Sequence, residues 1–389
     1  MRNSDIVPEL RREQPLSWDR TYGRGMTEHR YRGRDRDRDK DRDGDRDRDG
    51  DRVRDKDRDG DRDKDRDRDG DRDRDRDRVR DKDRDGNRVR DRSRDSGRDI
   101  DIDREVLWLS FPLLDQSGLV VNGFSTRIGG VSEGVCASMN LSFSRGDDPA
   151  AVSENFRRIS AAMGFSPEQI VCSDQTHTTN VRRVGKEHCG SGVVRERVWK
   201  DVDGMITDEP GVVLATFYAD CVPLYFVDPV HRAIGLSHSG WRGTVNGMGA
   251  VTLQKMKAEF GTRPEEVLAA VGPSICQSCY EVSEDVIEQF RNRFPANLQE
   301  LLYYRKENGK YQLNLWEANR QLLLSSGIRE EHLQISGLCT CCNPHVLFSH
   351  RASHGRRGNL GAFLMLQGSE RESREAHTAP ANPRPERRQ

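Results

Sequence analysis

One stretch, residues 212–243, limits what this chain can fold into more than any other. It contains three short apolar runs rich in β-branched or aromatic residues, at residues 212–218, 222–227 and 233–237. Turn residues such as Asp228 and Pro229 bound the runs, and this pattern is typical of buried β-strands. The stretch therefore predicts the centre of a β-sheet.

Polar side chains stand where these predicted strands end. Asp220 and Cys221 follow the first run, and His238 follows the third. Because a rigid scaffold presents functional side chains at strand ends, these are the first candidates for a site. We expect His238 to be the neighbour of Cys221.

The first hundred residues differ in composition from the rest of the chain. Residues 34–104 are nearly all Asp and Arg, with Lys and Gly admixed, and they account for much of the 34% charged residues and net charge of −1. A helix would set like charges four residues apart, and a strand would have no apolar face to bury. We predict a disordered tail over residues 1–104 and interpret the tract as a tolerated repeat expansion, although mixed Arg/Asp tracts can also act as interaction tails. The near-neutral alternation of charge argues against strong nucleic-acid binding, because phosphate contacts need uncompensated positive charge.

The remaining composition is that of an ordinary globular protein. Residues 105–368 are predicted to form one catalytic domain, and the polar, Pro-rich residues 369–389 a disordered tail. No apolar run reaches the ~20 residues of a membrane span, and the N-terminus lacks the apolar region of a secretory signal. Nine cysteines, an odd number, suggest thiols or metal ligands rather than a disulfide framework. We expect a cytoplasmic protein with no membrane partner.

Helical and strand patterns alternate through residues 105–368. Asp148 and Pro149 begin a predicted helix that Gly164 ends. Further helices are predicted at residues 244–260, 283–294 and 316–326, and further strands at residues 267–271, 333–338 and 362–366. This alternation predicts the α/β class, as a single domain with a mixed β-sheet flanked by helices.

Three well-separated residues offer metal-binding side chains. His177, Cys221 and His238 each lie at a predicted strand end or turn, which fits a catalytic zinc that keeps its fourth position open for water. Such an ion lowers the pKa of that water towards neutrality. Packed cysteines and hydrogen-bonded histidines are commoner, and Cys221 with His238 would also suit a nucleophile and its base. The residue types alone leave these alternatives open.

Five motifs in order carry a resemblance to a known family: DQTHTTNV, DGMITDEPGVVLATFYADCVPLYF, LSHSGWRGTVNGM, GPSICQSCYEV and CTCCNPHVLFSHRASHGRRGNLGAFL. Together they resemble the laccase-domain family, also called multicopper polyphenol oxidoreductase-like proteins and purine nucleoside phosphorylases. The resemblance covers about residues 124–366, nearly all of the predicted domain. It implies that His177, Cys221 and His238 are ligands of a catalytic zinc.

The resemblance also implies an activity. It points to phosphorolysis of adenosine, inosine and methylthioadenosine, giving free base and a ribose 1-phosphate, and to zinc-dependent deamination of adenosine. The expected partners are therefore purine nucleosides and phosphate. Deamination needs a carboxylate that moves protons, and Asp220 is the candidate, although it would serve equally as a buried structural residue.

Three further residues are candidates for substrate binding. Arg127 and Arg242 are the best-placed arginines for phosphate, since a guanidinium presents two parallel donors to phosphate oxygens. A plain salt bridge would explain either arginine. Asn140 is a candidate contact for the base or ribose, or a turn-forming residue.

Two cysteine groups lie outside this set: Cys276 with Cys279, and Cys339 with Cys341 and Cys342. They could together hold a structural zinc through four thiolates. We favour packed or site-lining thiols over a second metal.

Two rival functions remain. A copper polyphenol oxidase would bind copper instead of zinc, but multicopper centres need His-x-His pairs, and none of the ten histidines forms one. A metal-free cysteine hydrolase or deamidase would use Cys221 and His238. Metal analysis separates the three functions, because they require zinc, several coppers and no metal respectively.

Overall fold

The computed structural model describes residues 26–31 and 105–368. The other residues of the two predicted tails lie outside the described residues, so their disorder stays a prediction. Within the described residues the α/β class is confirmed, with helices against mixed sheets. None of the helices in these residues is long and apolar enough to cross a membrane.

The described strands follow one another along the chain in this order: β1 (Thr27–Tyr31), β2 (Val106–Ser110), β3 (Val120–Ser125), β4 (Ile170–Cys172), β5 (Val181–Arg183), β6 (Gly204–Thr207), β7 (Val213–Tyr218), β8 (Val222–Asp228), β9 (Ala233–Ser239), β10 (Leu268–Val271), β11 (Glu281–Val282), β12 (Tyr303–Arg305), β13 (Tyr311–Leu313), β14 (Leu333–Ile335) and β15 (Leu360–Leu366). The described α-helices are α1 (Pro112–Asp115), α2 (Pro149–Met163), α3 (Trp241–Val245), α4 (Met248–Phe260), α5 (Glu284–Arg293), α6 (Ala296–Leu302) and α7 (Leu315–Ser325).

These strands divide among three sheets, where the sequence predicted a mixed β-sheet without its subdivision. The first has the order β1-β2-β3-β15-β7-β4, the second β14-β10-β8-β9-β6-β5, and the small third β11-β13-β12. The two large sheets are mixed, because β4 pairs parallel with β7, and β10 with β14, among antiparallel neighbours. The three predicted central strands, β7, β8 and β9, are present, with β7 in the first sheet and the other two in the second.

The main hydrophobic core lies between the two large sheets. Strand β8 shows why its sequence is apolar throughout: Tyr225 and Val227 pack with the residues of the first sheet, whereas Leu224 and Phe226 belong to a second core built with helices. A strand covered on both faces has no polar alternation. Strand β8 is buried along its whole length, and this rigid centre carries the loops of the site.

Local signals explain the helix ends. Asp148 caps α2 by accepting the N–H of Ala150, and Gly164 ends the helix at a φ of 82°, as predicted. The predicted helix over residues 244–260 is wrong as one unit, because Gly247, with φ of 75°, separates α3 from α4. The left-handed backbone of Gly247 lets the chain turn there.

Strand β1 departs from the predicted tail. The sequence assigned no structure to residues 1–33, yet Thr27–Tyr31 pairs antiparallel with β2. His29 stacks on Trp108 with ring centroids 4.0 Å apart, and its Nε2 lies 2.9 Å from Oγ of Ser110. Met26 is buried in the main core. Residues 26–31 are therefore part of the folded domain.

Candidate active site

Three loop or strand positions bring the predicted metal ligands together. His177 follows β4, Cys221 lies between β7 and β8, and His238 is on β9. Their ligand atoms all lie within 4.8 Å of one another, and the two imidazole centroids are 5.0 Å apart. His238 is buried, Cys221 is partly exposed and His177 is exposed, so the site opens to solvent on the side of His177.

Asp203, which precedes β6, organises the cluster. Its carboxylate accepts Nδ1–H of His238 at 2.8 Å and the backbone N–H of His177 at 3.1 Å. It also accepts the backbone N–H groups of Thr176 at 3.0 Å and Thr178 at 2.9 Å. One buried carboxylate therefore fixes both the imidazole of His238 and the loop that carries His177.

Hydrogen bonds keep the carboxyl group of Asp203 ionised. Burial raises the pKa of Asp203, but the hydrogen bonds from His238 and from the N–H of Thr176 outweigh it and lower that pKa to about 2. An ionised Asp203 accepts hydrogen bonds only, so Nδ1 of His238 keeps its proton and Nε2 is the nitrogen that faces Cys221 and His177. Nε2 must lose its own proton before it can bind a metal ion.

Cys221 and His238 also shift the pKa of one another. Burial raises the pKa of Cys221, yet His238 and His177 together lower it to about 6. Burial lowers the pKa of His238, yet Cys221 and Asp203 raise it to about 9. A thiolate and an imidazole whose other nitrogen is held by a carboxylate suit a metal ion, and they also suit a nucleophile–base pair.

The donor set fits a catalytic metal site. Zinc binds imidazole nitrogens and thiolate sulfurs, and three protein ligands leave the fourth coordination position of a tetrahedral ion open. The backbone of His177 is left-handed, with φ of 65°, and close packing leaves little room beside the site. A Cβ at Gly240 would lie 3.1 Å from Sγ of Cys221 and 3.3 Å from Cδ2 of His177.

Asp220 lies next to Cys221, where the chain turns at a φ of 93°. One carboxylate oxygen accepts the hydroxyl of Thr340 at 2.7 Å, and the other accepts the backbone N–H of Arg351 at 2.7 Å. These bonds tie the turn that carries Cys221 to two distant loops. The predicted proton-transfer role of Asp220 remains a prediction, and its observed contacts give it a positioning role.

Two predicted substrate residues hold loops together through hydrogen bonds within the protein. The guanidinium of Arg127 donates to the carbonyls of Ala137 and Pro344 and lies 4.5 Å from the ring centre of Phe348. The amide of Asn140 is fully buried; it donates to Ser142 and Asp147 and accepts backbone N–H groups of Ser142 and Asn359. All four hydrogen-bonding positions of this amide are filled within the protein. A substrate contact for Arg127 or Asn140 stays a prediction.

Arg242, the third predicted substrate residue, is exposed at the start of α3. Its guanidinium lies 4.5 Å from the ring centre of Trp241. Burial raises the pKa of Tyr280, Cys221 and Asp220 raise it further, and Arg351 and Arg242 act in the opposite sense. These five groups therefore share one electrostatic environment, and Arg242 stands at the rim of the site.

The sequence interpretation missed a second cationic group beside the site. Arg357 is buried, and its Nε–H has no hydrogen-bond partner among the described residues. Burial and Arg145 lower the pKa of Arg357 to about 10, against the opposite pull of Asp220 and Cys221. Its Nη2 lies 3.5 Å from Nδ1 of His350. The signal was present in the GRRGN segment of the last motif.

Comparison with known proteins identifies the family of this chain. The sequence profile of the family described as multi-copper polyphenol oxidoreductase laccase matches residues 121–367. The chain belongs to this family. The match spans all three metal-ligand candidates, the organising Asp203 and Arg357.

Two curated relatives and one solved structure illustrate the family. The purine nucleoside phosphorylase YlmD of Geobacillus stearothermophilus is 37% identical over 245 residues, 63% of this chain and 89% of the relative. The adenosine deaminase RL5 of an unknown prokaryotic organism is 30% identical over 233 residues, 59% of this chain and 88% of the relative. The crystal structure of the Geobacillus YlmD matches with a TM-score of 0.64 and 35% identity, over 67% of this chain and 96% of that one.

Proposed function

We propose that this chain is a zinc-dependent purine nucleoside phosphorylase. It would act on adenosine, inosine and methylthioadenosine, and would also deaminate adenosine. The observation that carries the proposal is the convergence of His177, Cys221 and His238 around Asp203, in a chain whose relatives are named for these two reactions. The fold alone would not support it, because one fold hosts many functions.

The residues of the cluster have separate tasks in this proposal. His177, Cys221 and His238 would hold the metal, and Asp203 would orient the imidazole of His238. A bound Zn²⁺ would supply Lewis acidity towards an atom of the nucleoside or of its attacking group. Asp220 would keep Cys221 in place through its bonds to Thr340 and Arg351.

Phosphorolysis also requires a site for phosphate. Arg357 supports one because it is buried, its Nε–H is unpartnered among the described residues, and no carboxylate within hydrogen-bond distance balances its charge there. A phosphate dianion would satisfy the donor and the charge together. Arg145 adds positive potential beside Arg357, and Arg242 would contact the nucleoside or phosphate from the rim.

The cysteine hydrolase is the second candidate function. The pKa of Cys221, lowered to about 6 by His238 and His177 against its burial, favours a thiolate nucleophile. Two observations favour the metal instead: a third donor, His177, faces the pair, and a carboxylate orients His238 as it does in metal sites.

A nucleoside panel tests the proposal. Purified protein loaded with zinc is incubated with adenosine, inosine or methylthioadenosine, with and without inorganic phosphate, and the products are separated by chromatography. We expect free base and a sugar 1-phosphate only when phosphate is present: ribose 1-phosphate from adenosine and inosine, and 5-methylthioribose 1-phosphate from methylthioadenosine. Inosine should form from adenosine in either case. No conversion of any nucleoside by zinc-loaded protein would overturn the proposal.

A further inference from the structure

A second cluster of metal-binding side chains lies on the two loops that follow β10 and β14. Its members are Cys276, Cys279, Cys339 and Cys342, here called the four-cysteine cluster. The chain supplies them as two Cys-x-x-Cys pairs, because Cys339 and Cys342 are separated by two residues, as are Cys276 and Cys279. Two such pairs are the spacing of structural zinc sites.

The sulfur atoms have the separations that one central ion requires. The four ligand atoms lie within 4.8 Å of one another. Sγ of Cys342 lies 3.4 Å from Sγ of Cys279 and 3.9 Å from Sγ of Cys276. Zn–S bonds of about 2.3 Å in a tetrahedron place sulfur atoms about 3.8 Å apart. Cys342 is thus near two sulfur atoms at once, which a single disulfide bond would not produce.

Two backbone N–H groups donate to one of the sulfur atoms. Sγ of Cys339 accepts the N–H groups of Cys276 and Cys342, each at 3.3 Å. Each N–H belongs to another member of the cluster, so the two loops wrap around a common centre. Hydrogen bonds of this kind stabilise a thiolate charge and orient the ligands of a metal.

We propose that the four-cysteine cluster binds a second metal ion, a structural zinc held by four thiolates. This site is separate from the one formed by His177, Cys221 and His238, and it reverses the expectation of packed thiols from the sequence. Four thiolates in a tetrahedron select zinc or iron, and two Cys-x-x-Cys pairs are the pattern of a structural zinc site. With four protein ligands, the site offers no open position for a substrate.

The ion would hold in place the two cysteine loops, which form one side of the active site. Thr340, inside the second Cys-x-x-Cys pair, donates to Asp220, and the backbone N–H of Ile275 donates to the carbonyl of Asp220 at 3.0 Å. Arg351 donates to the carbonyl of Cys279 at 3.3 Å and to Asp220 through its backbone N–H. Both clamped loops therefore support the turn that carries Cys221.

The test uses the full chain with the first metal site removed. Cys221→Ala protein is expressed with zinc, purified under reducing conditions and analysed by atomic spectroscopy and zinc X-ray absorption. We expect one zinc per chain, with sulfur neighbours only. Wild type should hold two zinc ions per chain. In the wild-type background, Cys279→Ser and Cys342→Ser should each hold one. The control is Cys341→Ser, which changes the neighbouring cysteine outside the cluster and should hold two.

Metal content keeps this test independent of catalysis and of the proposed function. A Cys221→Ala protein that folds without zinc, or with nitrogen or oxygen around its zinc, would overturn the proposal. So would a disulfide between Cys279 and Cys342 in metal-free protein purified under the same reducing conditions. A melting temperature for Cys221→Ala that falls on addition of a chelator would support it.

Discussion

Asp203 and His238 are joined twice. The carboxylate of Asp203 lies 2.8 Å from Nδ1 of His238, and the backbone N–H of His238 donates to the carbonyl of Asp203 at 2.8 Å. The two contacts link β9 to the segment before β6, and they fix the direction of Nε2. Because the same carboxylate also holds the N–H of His177, one residue aligns two of the three ligand candidates.

We expect Asp203→Asn to weaken metal binding while leaving the ligands present. An amide cannot balance the imidazole charge, and its NH₂ group would face donors. Loss of such a partner typically costs about 10–100-fold in metal affinity. Affinity is measured by competition with a chromophoric chelator.

Asp228→Asn is the matched control. Asp228 is also a buried carboxylate bound to a histidine, His231, at 2.9 Å, but it lies at the far end of β8. Its change should lower stability without changing metal affinity. Equal losses of affinity in both variants would show that Asp203 acts through general stability.

Cys221→Ala should abolish turnover and remove the metal of the His177 site while the protein stays folded. A thiolate supplies charge as well as a bond, so its loss should cost more affinity than the loss of a neutral imidazole. Zinc content, circular dichroism and turnover are measured on the same preparation, beside a chelator titration of the wild type. Full wild-type activity after complete metal removal would instead assign Cys221 as a nucleophile.

Arg357→Gln should reduce phosphorolysis more than deamination, because only phosphorolysis must hold a phosphate dianion. Removal of a charged donor from such a site typically costs about 10²–10³ in rate. Arg242→Ala should act in the same direction with a smaller effect, since Arg242 is exposed. Arg263→Gln, which changes an arginine on the surface beside Glu266, is the control. Equal losses in both reactions would mean that Arg357 contacts the nucleoside or braces its loop.

Local patterns made part of the fold and of the site predictable. The strands around Cys221 follow from short β-branched runs, and α2 follows from Asp148 and Gly164 at its ends. Asp203 was not singled out, because its role depends on contacts with residues 26 and 35 positions away. Arg127 and Asn140 show the converse: their types suit a substrate, but long-range contacts use their hydrogen bonds.

Gly240→Ala should lower metal affinity, on the order of tenfold, by crowding the site. Its new methyl group would lie 3.1 Å from Sγ of Cys221, so the sulfur must move by a few tenths of an ångström. Gly243→Ala is the control, because a Cβ there has its nearest neighbour at an ordinary 3.4 Å. Unchanged affinity in Gly240→Ala would indicate that the turn carrying Cys221 adapts without cost.

Strand β1 leads to a prediction that the sequence alone would have reversed. From sequence, deletion of residues 1–100 should leave folding and activity intact, but that deletion also removes β1 and the buried side chain of Met26. Burial of a Met side chain alone stabilises a fold by about 1.5–3 kcal/mol. We therefore expect the truncated protein to unfold at a lower denaturant concentration than the full chain.

A second variant separates the strand from the charged tract. Tyr31 and Val106 are opposite each other in the pairing of β1 with β2, so a short turn can replace residues 34–103 without moving either strand. This variant, beginning at Met26, should match the full chain in denaturant midpoint and turnover. Were the turn variant as unstable as the deletion of residues 1–100, the Asp/Arg tract itself would contribute to folding; were both as stable as the full chain, β1 would be dispensable.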